Sequence, residues 1–391
     1  MPWLLGGLAS SERTPTPISI PVRIRSVCPP VPELTNAPAR LRLIMAAILG
    51  LILATMSLLP GNVARVAASD PIPDDLQAAL WTALRAARQN SIAPGMSMSV
   101  LTADGRQWSG SDGWETNGDM LTVDDPMLIG SVTKTFTAAI ILQLAQEGRL
   151  NINDRTSTYL HNVRLVKHTT IRQLLGHTSG IADLYQPALG VLQGAPDTSL
   201  SSNGVLRPIG ENYFPPGHGY HYSNTNYYLL GLVIEHVTGR TVEQEIQDRF
   251  RAPMALEHTR MLTPDDPRLP AAWSTAFWTA GAMVSTPTEL ARWGQALYTG
   301  YVVSAANTRR MLDFTDGDYY GLGAQLLPLG GRWEPGHSGL MYDTTTLLIH
   351  LREENLTIAI AANAPNADLE TALTGTYGGP SILELVESLA G

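Results

Sequence analysis

The chain carries 24 arginines and only two lysines, Lys134 and Lys167. An arginine-biased composition explains the shortage but not the lysine kept at position 134. Arginine cannot shed its proton at accessible pH, whereas a lysine becomes a neutral base when buried or set in a positive potential. Lys134 stands three residues after Ser131 in Ser131-Val132-Thr133-Lys134. On a helix beginning at Ser131, positions i and i+3 share a face, so hydroxyl and amine become neighbours. The positive end of that helix disfavours an ammonium, and its free N–H groups can receive an oxyanion. An activated serine nucleophile needs this combination. Taken alone, the same four residues also read as an N-cap serine followed by a solvated lysine.

Two further clusters have chemical potential. Tyr222-Ser223-Asn224 lies between a Pro/Gly loop (Pro215, Pro216, Gly217, Gly219) and a helix predicted from Asn226. A phenol held in a turn can pass a proton between a serine hydroxyl and a leaving group, the more so beside a cation that lowers its pKa. Asn224, two residues on, points the same way in an extended segment and can hold a lysine and a substrate carbonyl. The bland reading makes Ser223 or Asn224 a helix cap and lets Tyr222 pack. The third cluster, Gly336-His337-Ser338-Gly339, precedes a predicted strand pair. A strand edge there can bind an extended acyl substrate, and the Leu340 N–H can act as a second oxyanion donor. Its bland reading is a tight turn entering a strand.

These clusters need elements to position them. Helical spacing covers 74–89, 133–146, 226–237, 241–250, 288–298 and a C-terminal segment within 382–389. Strand patterns cover 96–101 and 107–114 around Ala103-Asp104-Gly105, and 344–351 and 356–362 around Arg352-Glu353-Glu354. Strands at both ends with helices between predict an α/β (α+β sandwich) domain over 74–391. The N- and C-terminal parts (74–150 and 286–391) form one antiparallel sheet flanked by helices, and 151–285 is an all-helical insert covering one side of a cleft.

Composition sets limits. With 391 residues, 44% hydrophobic, the chain can bury a large core, and a net charge of -9 excludes a broad nucleic-acid footprint. Residues 1–68 hold six arginines and two acids, and Cys28, the sole cysteine, lies among them. The domain therefore has no disulfide, no thiolate nucleophile and no cysteine-ligated metal. Residues 1–42 read as a disordered or mis-started leader. Arg40 and Arg42, the apolar run 43–59 and the small residues Val66-Ala67-Ala68 form a signal-peptide or membrane-anchor pattern. Export, to a periplasmic, extracellular or membrane-anchored location, is expected.

Together, Ser131-x-x-Lys134, Tyr222-x-Asn224 and His337-Ser338-Gly339 resemble the penicillin-recognising serine hydrolases. The nearest branch is the class C β-lactamase-like group with its D-alanyl-D-alanine carboxypeptidases and esterases. Flanking text agrees: Leu174-Leu175-Gly176-His177-Thr178-Ser179-Gly180, Pro216-Gly217, Ala280-Gly281 with Ser285-Thr286, and Tyr320-Gly321-Leu322-Gly323. The resemblance covers about residues 75–390 and implies a β-lactamase/transpeptidase-like fold. By that resemblance Ser131 attacks an amide or ester, Lys134 and Tyr222 handle the proton, and Asn224 orients the substrate. Ser131 and Leu340 supply the oxyanion N–H groups, and Ser338 and Gly339 line the substrate edge. No cofactor and no metal are implied, and the partner is a small-molecule or peptide substrate (acyl-D-Ala-D-Ala, β-lactam or ester) met by a monomer.

Two positions depart from the pattern. His337 stands where many relatives have lysine, which makes carboxylate binding weaker or pH-dependent. Gln325 stands where similar carboxypeptidases carry an arginine for the substrate carboxylate, and a neutral amide cannot replace a bidentate guanidinium. Arg332 is the nearby candidate substitute. The competing chemistries are weaker. His218-x-x-His221 with Glu235-His236 has no His-Glu-x-x-His helix, and no Gly-x-Ser-x-Gly elbow occurs. His177-Thr178-Ser179-Gly180 reads as a structural turn. A non-catalytic cell-wall-binding or penicillin-sensing protein on the same fold is the alternative of another class. Lys134→Arg keeps the charge and removes the basicity, so it is expected to abolish ester and amide turnover while leaving the far-ultraviolet circular dichroism unchanged. An active Arg variant would remove Lys134 from the chemistry.

Overall fold

The computed structural model describes residues 71–314 and 319–390. The leader, the apolar run, the signal-like pattern and Cys28 lie outside the described residues.

Six antiparallel strands form the main sheet in the order β2-β1-β9-β8-β7-β6. The N-terminal part supplies the hairpin β1 (Gly95–Leu101) and β2 (Gln107–Gly113). The C-terminal part supplies β6 (Gln325–Leu329), β7 (Arg332–Met341), β8 (Thr344–Leu351) and β9 (Leu356–Ala362). The two parts join where β1 pairs with β9, from Met96↔Ala362 to Leu101↔Thr357. Alternation then divides the sheet's apolar residues between two faces. On one face Met96, Met98, Val100, Ile358 and Ile360 pack with Leu80 and Leu84 of α1 (Asp74–Gln89). Ala359 and Leu348 belong to the other core, with the helical part of the chain.

That second core surrounds α2 (Thr133–Gln146), whose residues from Thr133 to Leu142 are all buried. The pattern predicts an apolar stripe, and the structure buries the helix on every side. Two of its threonines are bonded to neighbouring elements. Thr135 Oγ1 accepts from Trp293 Nε1 at 2.8 Å, and Thr137 Oγ1 donates to the Thr279 carbonyl at 2.8 Å. Phe136 stacks on Trp293 with ring centroids 3.8 Å apart. A helix enclosed in this way cannot shift without breaking the core, so the residues at its N-terminal end are rigidly placed.

Beside it lie α3 (Asn224–Thr238), α4 (Ala271–Gly281) and α5 (Pro287–Tyr298). The insert is not wholly helical. Two of its short strands, β4 (Arg260–Met261) and β5 (Met283–Ser285), pair with each other, and β5 also pairs with β3 (Met127–Leu128). Strands of two or three residues leave no readable alternation, which is why pattern alone passes over them. The segment Gly336–Gly339 likewise lies inside the ten-residue strand β7 and not in a turn before the strand pair. Pro335, Gly336 and Gly339 interrupt the alternation that would reveal it. Among the described residues no helix is long and apolar enough to cross a membrane.

Candidate active site

From β3 the chain passes through a tight turn, Gly130–Val132, directly into α2. Gly130 has a φ of 49°, and a Cβ there would lie 2.6 Å from Leu340 N. A Cβ on Gly339 would lie 2.1 Å from the Ile129 oxygen and 3.2 Å from Ser131 N. Only two glycines facing each other let the β7 backbone rest on the turn that carries Ser131. This sets the backbone of Leu340 beside Ser131 N, the placement a two-donor oxyanion site requires.

Lys134 is fully buried, and its Nζ has three oxygen neighbours. They are Ser131 Oγ at 2.9 Å, Asn224 Oδ1 at 2.8 Å and the Ala280 carbonyl at 2.6 Å. The last two can only accept. A neutral amine has two hydrogens and one lone pair, so those acceptors consume both hydrogens and leave the lone pair facing the Ser131 hydroxyl. Burial pushes the lysine pKa down to about 7, against an opposing pull from Asp183. The helix-end potential anticipated from sequence is not the governing cause; loss of water is.

The Tyr222 phenol lies within hydrogen-bonding reach of Ser131. Its ring centroid lies 4.8 Å from Lys134 Nζ. The expectation of a phenol acidified by the neighbouring cation is reversed. Burial holds the phenol well above its usual range, with the Ser131 bond opposing. It is therefore a resting proton donor and not a phenolate. Asn224 begins α3, two residues earlier than the pattern predicts, and its backbone N–H is held by Asp183 Oδ2. Asp183 also takes the Tyr185 N–H at 2.7 Å. With its Oδ1 committed to Lys134, the Asn224 amide has its NH2 end for a substrate carbonyl.

The substrate-edge residues differ most from expectation. His337 is buried, with Nε2 3.0 Å from the Tyr320 hydroxyl and Nδ1 2.6 Å from the Ser338 carbonyl. Burial beside Lys134 pushes its pKa down to about 3, so it is neutral at physiological pH. An imidazole engaged at both nitrogens offers a substrate carboxylate neither charge nor a free donor. Gln325 Oε1 accepts from both Ser338 N at 2.7 Å and Ser338 Oγ at 2.9 Å. Arg332 does not replace the missing cation. It is bonded to Glu354 at 2.8 Å and Glu387 at 2.7 Å, with Glu334 at 3.7 Å.

Sequence reasoning missed Asp183 as the anchor of Asn224, Gly130, and the Ala280 carbonyl as a lysine acceptor. Ala280 follows a break in α4 at Trp278, where φ is 28° and ψ is -115°. Neither a long-range carboxylate contact nor a bent helix leaves a local signal. His218 and His221 lie in the loop before Tyr222, and among the described residues no group of three or more His, Cys, Asp or Glu gathers to hold a metal. A cavity of about 700 Å³, lined by Tyr228, Glu235, Met261 and Trp278 among others, includes none of the site residues above.

A family profile described as Beta-lactamase matches residues 82–375. A D-aminopeptidase from Brucella anthropi is 27% identical over 275 residues, covering 64% of this chain and 52% of that protein. Protein flp from Staphylococcus aureus strain MW2 is 39% identical over 139 residues, or 34% of this chain and 27% of that one. The chain thus spans only a quarter to a half of these relatives' length. A solved D-stereospecific amidohydrolase from Streptomyces sp. superposes with a TM-score of 0.65 at 29% identity, over 78% of this chain and 100% of that one. The D-amino acid amidase from Ochrobactrum anthropi SV3, at 22% identity, shares the fold with a TM-score of 0.67 over 81% and 98% of the two chains. Because the profile spans well over half of its residues, this chain belongs to the beta-lactamase family of serine hydrolases.

Proposed function

We propose that the chain hydrolyses an amide or ester of a D-configured acyl donor through an acyl-enzyme at Ser131. The observation that carries this reading is the trio of contacts at Lys134 Nζ, which leaves a lone pair for one hydroxyl only. In acylation the Ser131 proton moves to Lys134 as Oγ bonds to the substrate carbonyl carbon. The N–H groups of Ser131 and Leu340 receive the oxyanion. Tyr222 protonates the departing nitrogen or oxygen as the tetrahedral species collapses, and the Lys134 ammonium returns a proton to the phenolate. Water then replaces the leaving group, and the same groups act in reverse.

The substrate side follows from what Gln325, Arg332 and His337 lack. None of the three offers a cation to a terminal carboxylate: one is neutral, one is consumed by acids and one is deprotonated by burial. This favours donors ending in an amide or ester over a D-alanyl-D-alanine carboxypeptidase reaction. The D-specific relatives named above support the configuration. The basic-flanked apolar run 43–59 supports export.

Intact-mass analysis after a fluorophosphonate probe is expected to show one adduct, absent in Ser131→Ala. Steady-state assays are expected to give a D-phenylalanine amide or a p-nitrophenyl ester at least about tenfold higher kcat/KM than a D-Ala-D-Ala peptide, the scale of a lost charge-assisted bond. Preference for the peptide would restore the carboxypeptidase reading. Acylation without turnover on any of the three would favour a penicillin sensor.

The pH profile supplies a second check. A lysine pKa lowered to about 7 makes the amine neutral above that pH and protonated below it. The kcat/KM for the ester is therefore expected to rise about tenfold per pH unit well below pH 7, to bend near 7 and to level off above it. A profile flat from pH 5 to 8 would contradict a lysine base.

A further inference from the structure

His177 lies in the segment that sequence reasoning assigned to a structural turn, yet it is fully buried against Tyr222. The two rings are 4.3 Å apart at 34°, and on other sides the imidazole meets Tyr320 at 4.5 Å and Tyr227 at 5.2 Å. The residues on either side of Tyr222 both donate to it. His221 N–H bonds to the His177 carbonyl at 3.0 Å, and Ser223 N–H bonds to His177 Nδ1 at 3.2 Å. Asn226 Nδ2 lies 3.1 Å from the same Nδ1. Its orientation is set by Ser179 Oγ, which donates to Asn226 Oδ1 at 2.6 Å.

Two N–H donors converging on Nδ1 require that atom to be bare, so the ring is the neutral Nε2–H tautomer. That Nε2 is buried and has no hydrogen-bond partner among the described residues. The backbone is also unfavourable, with φ at 57° in a residue other than glycine. A buried donor left unbonded and a left-handed backbone each cost free energy. Packing alone would be met more cheaply by an apolar residue. What an apolar residue could not supply is the acceptor at Nδ1.

We propose that His177 is a positioning residue for Tyr222. Its carbonyl and Nδ1 pin the chain before and after the tyrosine, and its ring forms the shelf under the phenol, so that the hydroxyl stays on Ser131. This rests on the proposed proton role of Tyr222. His177 itself touches neither substrate nor the reacting atoms.

The test is a double-mutant cycle in the full chain with D-phenylalanine methyl ester as probe, whose alkoxide leaving group must be protonated, using Tyr222→Phe, His177→Leu, His177→Asn and the two double variants. His177→Leu is expected to lower kcat by about 10- to 100-fold, the scale of a small misplacement, with KM changed less than about threefold. His177→Asn is expected to recover most of that loss, because its Oδ1 can replace Nδ1 and asparagine tolerates positive φ. In the Tyr222→Phe background either change is expected to cost less than about threefold more. Additive losses, or a His177→Leu enzyme with unchanged kcat, would overturn the positioning role while leaving Tyr222 in place. Near-normal turnover by Tyr222→Phe would overturn both. If His177→Leu fails to fold by thermal melting, His177→Gly, which suits the positive φ and also removes the Nδ1 acceptor, replaces it in the cycle: an additive loss or an unchanged kcat counts against the proposal, and a loss that disappears in the Tyr222→Phe background supports it.

Discussion

A lysine without water is the constraint on which the rest depends. Removing an ammonium from water is costly, and the cost falls only on the charged form. The Ala280 carbonyl and Asn224 Oδ1 then decide what the neutral form can do. Both are acceptors without hydrogens, so the amine must spend its two N–H bonds on them. What is left is a lone pair, and Ser131 Oγ is the remaining atom in reach. Burial thus sets the basicity, and the acceptors set its direction. An exposed lysine at the same spacing would have neither.

Several costly features of the fold maintain this arrangement. The break of α4 at Trp278 precedes the carbonyl that faces Nζ, and that backbone lies where side chains are rarely found. Gly130 takes a left-handed turn just before Ser131, and Gly339 lets β7 press against it. Asp183 holds the first N–H of α3 and so fixes Asn224. Its charge also opposes the lowering of the lysine pKa. The helix α2 beneath all this is buried on every side, which ties the geometry of Ser131 and Lys134 to the core.

Elements with a strong period were legible before any coordinates. The helix 133–146 and the strands 344–351 and 356–362 match their patterns residue for residue, since each is a long run with one clear repeat. Ser131, Lys134, Tyr222 and Asn224 stood out because residue type and spacing suggest chemistry even without a fold, and the structure brings their side chains together. Environment was not legible. A histidine at 337 suggests a titrating charge until the structure shows it buried, and a tyrosine beside a lysine suggests an acidified phenol until burial is weighed. Arg332 looks available in sequence, but three carboxylates already surround it. Desolvation and long-range pairing are properties of the assembled chain, and local pattern cannot encode them.

With only two lysines in the chain, the basicity of Lys134 can be measured directly. In protein labelled with ε-¹³C lysine and carrying Lys167→Arg, a single lysine resonance remains, and its chemical shift can be followed from pH 5 to 11. The expected midpoint is about 7. A midpoint near the ordinary lysine value of about 10.4 would show a protonated, solvated amine at neutral pH, and would contradict the claim that burial makes Lys134 the base for Ser131.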